Sequence, residues 1–209
     1  MKHAPAWRRG RDGRNARPGR IGPGDASGPW DLADMNDIGL FYGTYTGVTR
    51  SVSEKIANNL GADKVDVYDI SKDGDKMEQY KKLIIGTSTW SIGELQEDWD
   101  AFMPKLEKMD FTGKIVALFG TGDQVGYPDT FLDGMGMLYE TFQYRGAKFI
   151  GFWPTEGYDF TSPLPLLDHD HFVGLAIDED NQPELTDGRV AKWCDMIRKD
   201  LGLPERPKA

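Results

Sequence analysis

At 209 residues, with 39% hydrophobic and 11% aromatic side chains, the chain has the material for one packed core with room for an appendage. No eighteen consecutive apolar residues occur, so no segment is suited to membrane insertion as a helix. Met1–Asp34 carries seven of the 25 basic and four of the 34 acidic residues, which leaves 18 basic against 30 acidic for the rest, a net −12. That balance argues against nucleic acid as a partner and for docking to basic surfaces.

The single cysteine, Cys194, excludes a disulfide framework and a thiolate metal cage. It falls within the helical repeat Val190, Trp193, Ile197, Leu201, as a small packed residue. The three histidines, His3, His169 and His171, have no third ligand at a telling spacing, so no metal site is expected. Met1–Asp34 is rich in Arg, Gly and Pro and is expected to be disordered. It lacks the apolar stretch of a signal peptide, and its Gly and Pro would break the amphipathic helix of a transit peptide. It reads as an extension upstream of a start at Met35, with the body cytoplasmic.

From Ile38 the pattern alternates. Ile38–Tyr42 is an apolar run that predicts a buried parallel strand, and Val48, Val52, Ile56 and Leu60 predict the helix after it. Val65–Tyr68 predicts a second strand, and polar Ser71–Gln79 a short helix or turn. Lys82–Thr87 predicts a third strand, followed by a helix with Trp99, Phe102, Met103 and Leu106 on one face. Lys114–Phe119 predicts a fourth, followed by a helix through Phe131, Met135, Leu138 and Phe142 that stops at Arg145-Gly146. Phe149–Phe152 begins a fifth strand. About twenty residues with three prolines and no period follow, a length unusual for a loop inside a compact domain. Phe172–Ile177 then reads as strand again, so the fifth strand is taken as split by an insertion at a sheet edge. Thr186 or Asp187 is the expected cap of the last helix, which ends near Leu201-Gly202. Strands each followed by a helical pattern imply an α/β fold with a doubly wound, five-stranded parallel sheet.

Ligands of such sheets bind at the carboxyl ends of the strands. There the chain places Gly43–Thr49, Thr87–Gly93 and Gly120–Tyr127, all rich in glycine and hydroxyls. The first is a strand–turn–helix with Thr44, Thr46 and Thr49 as hydroxyl donors and Gly47 for close backbone approach, which suits a phosphate at a helix start. It has neither the lysine-bearing P-loop pattern nor a dinucleotide fingerprint, so the phosphate it suits is a monophosphate held without cation chemistry. Trp90 and Tyr127 are aromatics among small residues on the second and third loops, positioned to cover a flat ring.

These stretches closely resemble the long-chain flavodoxins over Met35 to Leu203. The resemblance rests on Gly-Thr-Tyr-Thr-Gly-Val-Thr, Thr-Trp-Ser-Ile-Gly-Glu-Leu-Gln, Phe-Gly-Thr-Gly-Asp-Gln-Val-Gly-Tyr, Glu-Gly-Tyr-Asp-Phe and Phe-Val-Gly-Leu-Ala-Ile-Asp-Glu-Asp-Asn-Gln. It implies a flavodoxin-like sheet of order 2-1-3-4-5, a non-covalently bound FMN and a one-electron carrier working between semiquinone and hydroquinone. By position, Thr44, Tyr45, Thr46, Gly47, Val48 and Thr49 hold the phosphate. Ser88, Thr89, Trp90, Ser91, Ile92 and Gly93 form the second cofactor loop, and Thr121, Gly122, Asp123 and Tyr127 the third. Trp90 and Tyr127 flank the ring, Asp123 faces its pyrimidine edge, and Asp180 reaches the ribityl chain. Val48 stands where some relatives have lysine. Ser91 stands where many have asparagine, before a peptide that reorients on reduction in the family.

Nothing in this scheme needs a catalytic base or nucleophile. A carrier sets its potentials by binding the redox states of one cofactor with different strength. An acidic protein that packs the reduced ring away from water disfavours its anion, so a low second potential is expected. Glu94, Glu97, Asp98 and Asp100 form an acidic rim expected to dock a monomeric carrier to basic redox proteins such as a nicotinamide reductase, a photosystem or a nitrogenase component. The alternative is an FMN-dependent NAD(P)H quinone reductase, for which no second nucleotide motif is present. A phosphoacceptor domain of the same fold would need carboxylates where Gly43-Thr44 and Thr87-Ser88 stand.

Overall fold

The computed structural model describes residues 36–206; the disorder expected of Met1–Asp34 lies outside them. Strand β1 (Ile38–Tyr42) lies inside the sheet, and all five of its residues are buried. It pairs in parallel with β2 (Val65–Asp69) on one side and β3 (Lys82–Trp90) on the other. A strand covered on both faces reads as an uninterrupted apolar run, and each large side chain withdrawn from water here contributes about 1.5–3 kcal/mol.

Helix α1 (Val48–Leu60) turns Val52, Ile56 and Leu60 inward, as the repeat predicts. The polar stretch after β2 becomes a one-turn helix α2 (Ile70–Asp73) and a 3-10 segment, Gly74–Gln79. Beyond β3 come the two-residue β4 (Glu94–Leu95), α3 (Glu97–Leu106), β5 (Ile115–Thr121) and α4 (Asp133–Tyr144). Phe131 lies just before α4 and is buried all the same.

The fifth strand is split, as expected. One half is β6 (Lys148–Ile150), paired with Ile115–Ala117; the other is β9 (Leu175–Ile177), paired with Phe119–Thr121 on the same edge of β5. Gly174 sits where the second half joins, and a Cβ there would run into the Leu118 carbonyl. The main sheet therefore runs β2-β1-β3-β5 with the two halves completing its edge, the order 2-1-3-4-5.

The intervening twenty residues are not structureless. β7 (Trp153–Pro154) and β8 (His171–Phe172) pair antiparallel and close the insertion at its base. Inside, Phe160 packs on Phe172 with ring centroids 4.8 Å apart, and the Tyr158 hydroxyl donates to the Ala176 carbonyl at 2.7 Å. Helix α5 (Thr186–Ile197) packs against α1. It corrects one expectation: neither Thr186 nor Asp187 caps it, since both lie inside the helix and no side chain bonds its first amides.

Candidate functional site

The first loop is tied to the sheet where the Gly43 amide donates to the Gly86 carbonyl at 3.0 Å. The Thr44 hydroxyl then accepts from the Gly47 amide at 3.1 Å, which closes a tight turn. Gly47 has φ of 93°, a left-handed conformation that glycine alone adopts without penalty. Helix α1 starts immediately after it with no side-chain cap and no acidic residue in its first turn. Its first backbone bond is from Ser51 to Gly47, so the amides of Val48, Thr49 and Arg50 precede the intrahelical ladder. Those amides and the helix dipole make an anion cradle of neutral donors.

The second loop differs from its sequence reading. β3 does not stop at Thr87 but continues to Trp90, and Thr89 and Trp90 pair antiparallel with Leu95 and Glu94. Threonine and tryptophan favour the pleated conformation, so a stretch that is loop-like in hydroxyl content extends as strand. The true turn is Ser91–Gly93, with φ of 48° at Ser91 and 85° at Gly93. Trp90 is fixed from two sides: its indole N–H donates to the Ser88 hydroxyl at 2.8 Å, and the Tyr45 ring meets it edge-on at 5.1 Å.

The third loop follows β5. The Asp123 carboxylate accepts from the amides of Val125 (3.0 Å) and Gly126 (2.7 Å) and from the Asn181 side chain (2.8 Å). The Gly126 amide above all holds its carboxyl below the usual carboxylate range, and the Asn181 and Val125 donors act in the same direction. Behind it, fully buried Asp178 accepts from the amide and side chain of Gln124 and from Asn181. Asp180 is pushed the other way, chiefly by burial and then by the charges of Asp123 and Asp178. Beneath the loops, the hydroxyls of Thr49 and Thr121, both buried, lie 3.1 Å apart and join the first loop to the third.

The three loops enclose a cleft of about 350 Å³, within the range of small-molecule sites. Twelve of the seventeen expected residues line it: Thr46, Val48 and Thr49; Ser88, Thr89, Trp90 and Ser91; Thr121, Gly122, Asp123 and Tyr127; and Asp180. Thr44, Tyr45, Gly47, Ile92 and Gly93 do not line it. Thr44 and Gly47 shape the first turn, Tyr45 backs Trp90, and Gly93 is buried behind the second turn. Ile92 stands out at the tip, 88% exposed. Four lining residues were not foreseen: Thr130, Phe131, Leu132 and Glu179. Glu179 borders Asp180 and was within reach of the sequence reading; the other three sit on the approach to α4, where the periodicity signalled only helix.

Among the described residues no lysine or arginine lines the cleft. Of the expected docking residues, Glu94, Glu97 and Asp100 are exposed, whereas Asp98 is half-buried and accepts from the Gln96 side chain at 2.8 Å. Among the described residues no group of His, Cys, Asp and Glu suits a metal, and no helix is long and apolar enough to cross a membrane.

The family model described as flavodoxin matches residues 40–193. The chain belongs to the flavodoxin family. It is 53% identical to a flavodoxin of Synechocystis over 169 residues, covering 80% of this chain and 99% of that one. Flavodoxin 2 of Escherichia coli K12 is 48% identical over 167 residues, 79% of this chain and 96% of the relative. Among solved structures, a Fusobacterium nucleatum flavodoxin bound to flavin mononucleotide superposes with a TM-score of 0.75 at 35% identity, over 79% of this chain and 99% of that one. The expected family and strand order are thus borne out, and the insertion agrees with the long-chain type.

Proposed function

We propose that the three-loop cleft holds FMN non-covalently, with the phosphate at the start of α1 and the ring between Trp90 and Tyr127, and that the chain passes single electrons between redox proteins. As a flavodoxin, the protein is an FMN-dependent electron carrier and not an enzyme. The observation that carries the placement is the start of α1: uncapped, free of acidic side chains and opening into the cleft beside Thr46 and Thr49. A helix start left open in this way presents unpaired amides and the positive end of the dipole to an anion.

The other residues fit the remainder of the cofactor. Trp90 is held by Ser88 and Tyr45, so the direction its face takes is set from two sides. Tyr127 is 57% exposed, an apolar face that a flat ring would cover. Asp123, anchored by backbone amides, is an ionised group of fixed position on the third loop. Bound there, FMN supplies the electron chemistry. The protein contributes position, exclusion of water and a field that opposes added negative charge, which lowers the second one-electron potential.

Docking is assigned to the side of Glu94, Glu97, Asp98 and Asp100, which belong to β4 and the first turn of α3. The partners are redox proteins with basic faces, met by a monomer. Stepwise anaerobic photoreduction of the FMN-loaded protein tests the reading. A long-lived blue one-electron form supports it; direct two-electron reduction with rapid consumption of NAD(P)H overturns it in favour of a quinone reductase.

A further inference from the structure

The turn Ser91–Gly93 carries two left-handed residues, and at Ser91 no glycine relieves the strain. A residue with a side chain is strained there and persists only where its surroundings impose the conformation. The structure shows what lies behind this turn. Asp133, the first residue of α4, places one carboxylate oxygen 2.7 Å from the position a Cβ on Gly93 would take, with the Thr130 methyl at 3.1 Å beside it. The other carboxylate oxygen accepts a hydrogen bond from the Ser162 hydroxyl.

Ser162 belongs to the insertion and is 2% exposed. Its position is set by backbone: the amides of Thr161 and Ser162 both donate to the Pro128 carbonyl, at 2.9 and 3.2 Å. The residue after Asp133 reaches the second loop as well, the Gly134 amide donating to the Thr89 hydroxyl at 3.0 Å. Insertion, α4 and the β3–β4 hairpin therefore meet at one carboxylate.

We propose that Asp133, held by Ser162, is a positioning residue that fixes the Ser91–Gly93 turn, and that the insertion thereby sets how this turn meets the bound cofactor. The inference rests on the cleft being the cofactor site. A helix-start acid whose only role is to complement the dipole of α4 would have no need of a buried hydroxyl on one oxygen or of a glycine packed against the other. Burial pushes the Asp133 carboxyl up, and the Ser162 hydrogen bond opposes that shift.

The test is a double-mutant cycle of Asp133→Ala and Ser162→Ala, read by amide hydrogen exchange of Ile92 and Gly93 in the FMN-free protein and by FMN affinity. Each single variant should speed exchange at the turn and weaken FMN binding about threefold to tenfold. The double variant should go no further than Asp133→Ala alone, because Ser162 acts through Asp133. Asp133→Asn keeps the acceptor and the shape, so it should recover most of the affinity, and it serves as the readout if the alanine variant fails to fold. Exchange and affinity within twofold of the parent in both single variants, or effects that add in full, overturn the inference. If the parent protein binds no FMN at all, the cleft assignment fails, while the exchange rates still decide whether Asp133 holds the turn.

Discussion

Helices α1 and α3 both begin at the carboxyl end of the sheet, yet their first turns are built in opposite ways. At α3 the cap is complete: the Gln96 side-chain oxygen, 1% exposed as a residue, accepts from the amides of Asp98 and Trp99, and Glu97, Asp98 and Asp100 complement the dipole. At α1 there is a left-handed glycine, no cap and no acid. Self-capping makes α3 a structural element whose acidic turn faces outward. Leaving α1 open costs stability in the empty protein and creates a place for an anion.

The largest expected effect comes from closing that open end. Thr46→Asp puts a carboxylate at the cradle, and FMN titration of the ligand-free variant should show affinity lowered about a hundredfold, given that like charges at about 4 Å cost between about 1 and 4 kcal/mol. Gly47→Ala should destabilise the fold by about 1–2 kcal/mol in urea unfolding, because φ of 93° strains any side chain. Gln96→Ala removes the α3 cap and should cost about 1 kcal/mol, with FMN affinity unchanged within about threefold. If Gln96→Ala abolished FMN binding, the division between a structural and a binding terminus would be broken.

The smallest effect is one of pH and contrasts Asp123 with Asp180 in the ligand-free protein. The folded carboxyl of Asp123 lies low, so its stabilising contribution is present above the unfolded carboxylate value of about 3.9 and is lost as pH falls through the lowered one. Asp180 lies high, so its ionisation destabilises the folded state at neutral pH, and that penalty disappears as pH falls through its raised value. In urea unfolding followed against pH, Asp123→Asn should therefore flatten the acid limb. Asp180→Asn should stabilise slightly at pH 7 and leave pH 3 unchanged.

Much of this was legible in the sequence, for identifiable reasons. Buried parallel strands such as Ile38–Tyr42 are apolar throughout, and α1 and α4 carry a clear helical repeat. The cleft loops were legible because small residues, hydroxyls and two aromatics cluster where the sheet presents ligands. What escaped depends on partners remote in sequence. β7 and β8 are two residues each and pair across sixteen intervening residues, which no local pattern signals. Trp90 looks loop-like in the sequence because its strand partner, Glu94, belongs to another two-residue strand. The Asp133–Ser162 contact spans 29 positions, and neither residue stands out from its neighbours. The cap of α5 failed for a local reason, since Thr186 and Asp187 both have the right chemistry but lie past the last non-helical residue.

The open terminus of α1 is assigned as the phosphate site, and a paired titration tests that most directly. The ligand-free protein is titrated with FMN and with riboflavin, which has the same ring and ribityl chain but no phosphate. Binding of FMN about a hundredfold or more tighter than riboflavin is the predicted result. Equal affinities, within about threefold, would contradict it and leave the first turn of α1 without the role its structure assigns.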